Sequence, residues 1–318
     1  MKMLRTRALP GVQRQKKSVL KKLARSWQLY VILLLPLIYL LIFKYYPMLG
    51  AQIAFKDYKA NLGIWQSPWV GMKHFIRFFS TYDFWMLLKN TVSISLLSLL
   101  FGFPLPIVLA LCLNACRSIR FKKTVQMVTY APYFISTVVI VGMLSSFLAP
   151  RTGIINNAIA ALGFERVNFM GEPSFFKPIY ILSNIWQSSG YGAIVYIAAL
   201  ASVDPSLHEA AVVDGANRFQ RVWHIDLACI TPIIVTMLIL NTGQILDVGF
   251  EKILLMQNMQ NISASEVIST YVYKTGVASA SPNFSYPTAI GLFTSVINLI
   301  VILCANRAAR RIGDVGFW

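Results

Sequence analysis

The chain has 318 residues, of which 56% are hydrophobic and only 13% charged, and its mean hydropathy is +0.60. Soluble domains carry roughly 25% charged residues, so this composition excludes an ordinary water-soluble domain. The formal net charge of +17 would suit a nucleic-acid-binding protein unless the basic residues follow a membrane topology. The composition predicts an integral membrane protein, and the long apolar segments predict that it is all-α.

Six apolar segments approach or exceed the roughly 20 residues that a helix needs to cross a bilayer. They are residues 29–49, 90–116, 124–150, 178–203, 227–246 and the last part of 275–306. The first follows a long basic stretch and precedes no small-x-small cleavage site, so we predict an uncleaved helix and not a secretory signal. At Pro104, Pro106 and Pro132, inside predicted spans, we expect simple packing kinks.

The lysines and arginines predict the orientation. Four segments hold 18 of the 29 basic residues, whereas the longer segments at the other span ends hold 11. The basic-rich segments are residues 1–27, 114–124, 201–228 and 307–318. The positive-inside rule places them in the cytoplasm, so the charge needs no nucleic acid to explain it.

We therefore expect a multi-pass membrane protein with both termini in the cytoplasm. Its parts are a basic cytoplasmic tail (1–27), a six-helix transmembrane domain (28–306) and a cytoplasmic C-terminal tail (307–318). Outside, near-helical spacing of Phe75, Phe78, Phe79 and Trp85 predicts an aromatic helix lying in the membrane interface. The four cysteines show neither zinc nor disulfide spacing, and we expect small buried apolar side chains.

The loop between the fourth and fifth predicted spans carries the strongest local signals. Asp204 is a favourable N-cap and Pro205 suits the first helical position, so a short helix begins here. Gly215 is a natural residue just beyond its end, at a bend with positive φ or close approach of another backbone. Asn217 with Gln220 resembles a capping box that starts a second helix. The loop therefore predicts a helix–turn–helix hook suited to docking on a partner.

The order Glu-Ala-Ala-x-x-Asp-Gly-Ala in this loop resembles the EAA loop of binding-protein-dependent ABC importer permeases. The resemblance implies the six-helix type I ABC importer permease fold, also called MetI-like, with a coupling loop at 204–232 that sits in a cleft of a separate ATPase. The implied coupling residues are Glu209, Ala210, Ala211, Asp214, Gly215 and Ala216. Leu227-Ala228 stands where many relatives have Leu-Pro, which leaves the end of the second coupling helix open.

The same resemblance implies the partners. One hook per chain implies a heterodimer with a second permease subunit, with a homodimer as the alternative, together with two ATPase subunits and an extracellular solute-binding protein. The family also implies the bacterial plasma (inner) membrane. ATP binds to the ATPase, so no cofactor, metal or catalytic residue is expected in this chain. Segments such as DGANRFQRVWHI and VISTYVYKTG resemble the oligo- and polysaccharide branch, which includes lipo-oligosaccharide-type and alginate-type permeases. A carbohydrate substrate is implied.

Polar residues inside the predicted spans suggest where a sugar passes, because such residues often mark substrate paths. The fourth span resembles the stretch that lines the sugar site of the maltose permease, and four of its polar residues share one helical face. The candidates are Asn184, Trp186, Gln187, Ser188, Tyr191, Asn241, Gln244 and Asp247. The alternative is that these side chains bond neighbouring helices and hold the bundle together.

Other function classes fit less well. A polytopic membrane enzyme needs converging titratable groups, whereas the spans offer little beyond Asp247. A secondary transporter is expected to show internal repeats or a buried proton relay. The sequence contains no Gly-x-x-x-x-Gly-Lys-Ser/Thr motif, so the energy must come from a separate ATPase. An ABC permease for a non-sugar solute stays open as the alternative.

The predicted topology can be tested by chemical labelling. Arg14→Cys and Asn283→Cys should react with a membrane-impermeant thiol reagent from opposite sides. Position 14 lies in the predicted cytoplasmic tail, and position 283 lies in the last predicted external loop. Reaction of both positions from outside intact cells would refute the topology.

Overall fold

The structure is a computed structural model that describes residues 27–279 and 283–313. Residues 1–26 and 314–318, which make up most of the two predicted cytoplasmic tails, lie outside the described residues. Contacts divide the described residues into two compact units, with the boundary between Gln52 and Ile53. The described part is helical, with one isolated β-bridge between Lys56 and Trp69 and no named strand.

The first unit contains helix α1 (Trp27–Leu40). Its helical path continues through a π-helical segment (Leu41–Tyr45) and one α-helical turn (Tyr46–Met48). A 3₁₀ segment (Leu49–Phe55) then crosses the boundary between the two units. The run Trp27–Phe55 contains an 18-residue stretch with a mean hydropathy of 2.0 and is long and apolar enough to cross a bilayer.

The second unit consists of helices α2 to α16 and the segments that join them. Its first six helices are α2 (Gly63–Gln66), α3 (Lys73–Phe79), α4 (Phe84–Gly102), α5 (Pro104–Ala115), α6 (Ile119–Tyr130) and α7 (Thr137–Phe147). The next five are α8 (Ile154–Ala161), α9 (Pro173–Leu200), α10 (Pro205–Val213), α11 (Arg218–Arg221) and α12 (Leu227–Thr242). The last four are α13 (Phe250–Met256), α14 (Ile262–Ser265), α15 (Ile268–Gly276) and α16 (Ser285–Gly313). A 3₁₀ turn (Ala131–Phe134) follows α6, and a π-helical segment (Val222–Asp226) joins α11 to α12.

The described residues provide four continuous helices that can cross a membrane, or up to six spans if each of two bent helix pairs counts as one. The four are Trp27–Phe55, Phe84–Ala115, Arg218–Thr242 and Ser285–Arg311. One bent pair turns by 75° between α9 and α10, at the predicted hook. The other turns by 98° between the Ile119–Phe134 helix and α7. The simple kink expected at Pro132 is therefore wrong: the turn around this proline ends the helix, and Ser136 caps the next one by accepting a hydrogen bond from Val139 N–H.

Helix α9 is the centre of the second unit and packs against α4, α5, α6 and α12. Its Ala193, Tyr196 and Leu200 are buried with Ile107 of α5 and Ile230 of α12. Gly190 is the point of closest approach to α6, since a methyl group there would overlap the backbone carbonyl of Thr129. The absence of a side chain at position 190 therefore lets two helix backbones touch.

The predicted aromatic interface helix divides into two elements with different surroundings. Phe75 and Phe78 lie on α3 and are buried, and Phe78 packs with Tyr286 of α16. Trp85 belongs to the next helix, α4, and is 74% exposed. The prediction of one aromatic helix is therefore wrong, and protein covers two of its rings, because helical spacing identifies an apolar face but does not say whether lipid or protein covers it.

Two buried asparagines hold irregular segments near the N-terminal end of α9. Asn156 is fully buried and donates to the carbonyls of Leu148, Ala149 and Val167, while its Oδ1 accepts from Val167 N–H at 2.8 Å. Asn261 donates in the same way to the Met170 and Met256 carbonyls. These amides supply partners that loop backbones lack, as buried backbone groups require.

The cysteine expectation needs correction. All four are free, but Cys112, Cys229 and Cys304 are exposed on the single chain, and Cys116 is half-buried. An apolar side chain on a membrane helix leaves water by facing lipid, so low polarity does not predict burial within the protein.

The contact at Gly190 generates a stability prediction. Gly190→Ala should lower the thermal unfolding midpoint in detergent, because overpacking of a tight contact costs about 1–3 kcal/mol. The control is Gly142→Ala in α7, where nothing lies within 4 Å of an added methyl and alanine favours the helix. Equal midpoints for the two variants would contradict the close helix contact.

Candidate functional site

The predicted hook is present between α9 and α12, and local side-chain bonds set its shape. At the start of α10, the Asp204 carboxylate accepts a hydrogen bond from Ser206 N–H at 2.9 Å, with Pro205 in the first turn. The bonds from the Ser206 N–H and hydroxyl hold the pKa of the exposed Asp204 below its usual range. The cap predicted from the sequence is confirmed.

The turn of the hook is a Schellman motif centred on Gly215. Ala216 N–H bonds to the Ala211 carbonyl at 2.8 Å, and Gly215 N–H bonds to the Val212 carbonyl at 3.1 Å. Gly215 has φ +79°, and nothing lies within 4 Å of a methyl built on it. The positive φ predicted for this residue is confirmed, and in this chain glycine is required for backbone conformation and not for space.

The second hook helix begins with the predicted capping box. Asn217 Oδ1 accepts from Gln220 N–H at 2.9 Å, and Gln220 Oε1 accepts from Asn217 N–H at 2.8 Å. Helix α11 then continues through the π-helical segment into α12, so Arg218–Thr242 forms one helical run. Ala228, which stands where many EAA-loop proteins have proline, lies inside that run without a break.

The six predicted coupling residues lie on the surface of the hook. Glu209, Ala210, Asp214 and Gly215 are exposed, and the other two residues are half-buried. A shallow cavity of about 300 Å³ opens at the turn. Its lining consists of Ala211, Asp214, Gly215, Ala216, Gln220, Arg221, His224 and Ile225. Four of the six predicted residues therefore share one concave surface, while Glu209 and Ala210 lie outside it.

An exposed aromatic pair on the hook was not predicted. The rings of Phe219 and Trp223 lie 6.3 Å apart and nearly parallel, and the two residues are 74% and 58% exposed. Val213, at the end of α10, is 86% exposed. The i, i+4 spacing of two aromatics beside the motif is the sequence signal that would have found the pair. These residues give the hook an apolar surface beside its acidic side chains.

A larger cavity of about 420 Å³ lies among α4, α5, α9, α12 and the segment after α12. Its polar lining consists of Ser95, Ser98, Tyr180, Asn184, Ser188, Tyr196, Asn241, Gln244 and Asp247. Asp247 is the one charged residue in this lining. Five of the eight predicted path residues therefore face a common space: Asn184, Ser188, Asn241, Gln244 and Asp247.

Several polar groups in this cavity are unused by the protein. Within the described residues, the Asn184 amide makes no hydrogen bond, and the Ser98 hydroxyl is shielded from solvent without a partner. Asn241 donates to the Met237 carbonyl of its own helix at 2.8 Å, which leaves its Oδ1 unoccupied. Such groups can hydrogen-bond water or a neutral polar solute inside the cavity.

The other three predicted path residues do not line this cavity. Gln187 donates to the Ile135 carbonyl at 3.3 Å, and Tyr191 stacks on Tyr133 with the ring centres 3.8 Å apart. Trp186 is half-exposed on the helix surface. Gln187 and Tyr191 thus make the interhelical contacts that the alternative interpretation assigned to the whole set.

The expected helical spacing of the fifth span also needs correction at its end. Helix α12 ends at Thr242, so Gln244 and Asp247 lie in the turn and the extended segment that follow it. The Asn298 side chain of α16 accepts a hydrogen bond from Leu246 N–H and fixes this segment. Gln244 and Asp247 reach the cavity because the backbone leaves the helix.

Lys252 was also not predicted from the sequence as a residue of the site. It lies on α13, is 95% buried, and donates from Nζ to Gln187 Oε1 at 3.3 Å, with the Tyr180 ring 5.8 Å away. Burial lowers the pKa of its amine to about 8. Among the described residues, no group of three His, Cys, Asp or Glu side chains is placed to hold a metal ion.

Known proteins resemble this chain in sequence and in fold. Residues 102–314 match the family described as "Binding-protein-dependent transport system inner membrane component". The chain is 44% identical to the polygalacturonan/rhamnogalacturonan transport system permease protein YteP of Bacillus subtilis, with 96% of this chain and 94% of that protein covered. It is 43% identical to Protein LplB of the same organism, with 93% and 92% covered.

A solved structure shows the same architecture at similar identity. A chain in the crystal structure of a bacterial ABC transporter involved in the import of the acidic polysaccharide alginate is 44% identical, with a TM-score of 0.85. The match covers 93% of this chain and 99% of that chain. This chain therefore belongs to the binding-protein-dependent transport system inner membrane components, as a membrane-embedded, non-catalytic permease of the ABC transporter type with the predicted fold.

Proposed function

We propose that the permease carries an oligosaccharide or related carbohydrate delivered by an extracellular solute-binding protein. The observation that carries this proposal is the cavity of about 420 Å³ with unpaired amide and hydroxyl groups beside tyrosine rings. Sugars are recognised by such neutral hydrogen-bonding groups and by aromatic faces. Relatives named for carbohydrates support it, as does an alginate transporter solved with an alginate pentasaccharide-bound periplasmic protein. A non-sugar solute is the alternative.

We also propose the assembly in which this chain works. The single hook leads us to expect one ATPase contact per permease, hence a second permease subunit and two ATPase subunits that bind the ATP. The hook faces the cytoplasm of a bacterial cell, and both termini lie on that side of the plasma membrane. This orientation is supported by the excess of basic residues in 1–27, 201–228 and the other segments assigned to the cytoplasm.

Coupling in this assembly follows from the chemistry of the hook. The hook fits into a cleft of the ATPase, where the surface around Gly215 and the exposed rings of Phe219 and Trp223 supply contact area. Exposed carboxylates at Glu209 and Asp214 are available to basic groups or helix N-termini of the partner. Closure of the ATPase pair would then push on the hook and move the membrane helices.

The hook can be tested with a conformationally matched glycine pair. Gly215→Ala should weaken ATPase co-purification or uncouple ATP hydrolysis from sugar uptake, because a left-handed conformation costs a non-glycine residue roughly 1–2 kcal/mol. Gly163→Ala is the control: Gly163 has φ +84°, equally open space and a position in the loop after α8. Both variants should insert in the membrane, and only the hook variant should lose coupling.

Charge reversal tests the same surface without altering the turn. Glu209 and Asp214 replaced together by Lys should also leave membrane insertion and sugar recognition by the solute-binding protein intact, while ATPase retention falls. Uptake, ATP hydrolysis and co-purification are measured in the same vesicles. Normal transport and ATPase retention in both hook variants would show that the docking role is wrong.

The cavity is tested by comparing two predicted path residues. Asn184→Leu should reduce uptake about fivefold or more, since loss of one hydrogen bond costs roughly 1 kcal/mol. Trp186→Leu lies on the same helix outside the cavity and should leave uptake nearly unchanged. Candidate oligosaccharides and non-sugar solutes are each offered with their binding protein. Unchanged uptake in Asn184→Leu, or transport of non-sugar solutes alone, would overturn the carbohydrate path.

A further inference from the structure

A buried carboxylate lies where the hook enters the membrane helices. Asp226 is the last residue of the π-helical segment before α12 and is only 2% exposed. Its Oδ1 accepts a hydrogen bond from Asn114 Nδ2 at 3.2 Å and lies 3.2 Å from His208 Nε2, within ion-pair distance. Burying a carboxylate is unfavourable unless donors compensate it, so these two side chains are held in place by Asp226.

The three residues belong to three separate elements. His208 lies in the first hook helix, α10, directly before the motif residue Glu209. Asn114 lies at the end of α5, which packs against α9 along the cavity, and Asp226 opens the helical run of α12. One carboxylate therefore joins the hook to two of the helices whose residues line the cavity.

Few other contacts hold the first hook helix. Helix α10 contains no buried residue. Among the described residues, the bond between His208 and Asp226 is also the one side-chain hydrogen bond or ion pair that links α10 to another helix. Force applied to the hook can therefore enter the bundle through the backbone at each end of the hook and through the side-chain bridge formed by His208, Asp226 and Asn114.

Asp226 lies in a π-helical segment, where the backbone hydrogen bonds differ from those of a regular α-helix. Segments of this kind within α-helices are frequently found at functional positions. Val222–Asp226 is such a segment, and its backbone leads without interruption into α12. Its last side chain is the acceptor that both α10 and α5 share.

We propose that Asp226 is a positioning residue that transmits movement of the hook to α5 and α12 through His208 and Asn114. The proposal rests on the proposed docking of the hook to an ATPase, and it adds the place where that movement enters the membrane domain. Asp226 itself need not touch the ATPase or the solute. Its loss should therefore change the yield of transport per ATP and leave ATPase attachment unchanged.

The test uses the assembled transporter in vesicles and two disruptive variants. Asp226→Leu removes the acceptor at similar size, and Asn114→Asp places a second carboxylate against the first. Both variants should retain the ATPase and hydrolyse ATP, while solute taken up per ATP falls about tenfold, equivalent to roughly 1.4 kcal/mol of lost coupling. ATPase co-purification and the thermal midpoint of the complex are measured alongside.

A side-chain exchange provides the rescue. In the double variant Asn114→Asp with Asp226→Asn, the amide at 226 can donate to the carboxylate at 114 and still accept from His208. Recovery of uptake per ATP to at least about half of the wild-type value would support the bridge, because interacting residues show non-additive effects.

Three outcomes would overturn the proposal: normal uptake per ATP in Asp226→Leu, an exchange variant as defective as Asn114→Asp, or loss of the ATPase in Asp226→Leu. Loss of the ATPase in Asp226→Leu would mean that Asp226 maintains the shape of the hook. If Asp226→Leu does not insert in the membrane at all, the comparison of Asn114→Asp with the exchange variant decides. Failure of the docking proposal is recognised separately, by normal ATPase retention when Glu209 and Asp214 are both lysine.

Discussion

Every backbone polar group that leaves water must find a partner within the protein, and this requirement governs where the chain can be irregular. The breaks between helices inside the protein meet this requirement in different ways. Asn156 and Asn261 supply amide donors to loop carbonyls, Ser136 caps the helix after the 98° turn, and the Val222–Asp226 segment keeps a helical bonding pattern. Because the breaks are satisfied locally, α9 can remain one uninterrupted helix of 28 residues and supply six of the 19 residues that line the cavity.

The hook and the bundle obtain their shapes from different interactions. The hook is fixed by the Asp204 cap, the Schellman turn at Gly215 and the Asn217–Gln220 box, all within a few residues of chain. The bundle depends on contacts between distant segments, such as Gly190 against Thr129. A segment that is held by local bonds can stay exposed without a supporting core, which suits the docking role proposed for the hook.

This division explains what could be predicted from the sequence. Caps, the positive φ of Gly215 and the apolar spans are local properties, so they were readable from residue order. The path residues were harder, because Asn184 and Gln187 are one helical turn apart and periodicity cannot say which neighbour each one meets. Asn184 faces the cavity while Gln187 bonds Ile135 and Lys252. Asp226 was missed for the same reason: its partners are 18 and 112 residues away in sequence.

The cavity has the properties of a passage more than of a tight binding site. Its lining combines apolar residues with neutral amides and hydroxyls, and Asp247 is the one charge among them. Neutral hydrogen bonds exchanged with water contribute only about 1 kcal/mol each, so a solute held by several of them can enter and leave. Fixed ion pairs would hold it more strongly and for longer. High affinity in such a system belongs to the protein that delivers the solute, whereas the permease needs a path that it can open and empty. The polar cavity and the exposed hook are separate, and buried side-chain contacts lie between them. This arrangement fits a permease that must open and empty its path.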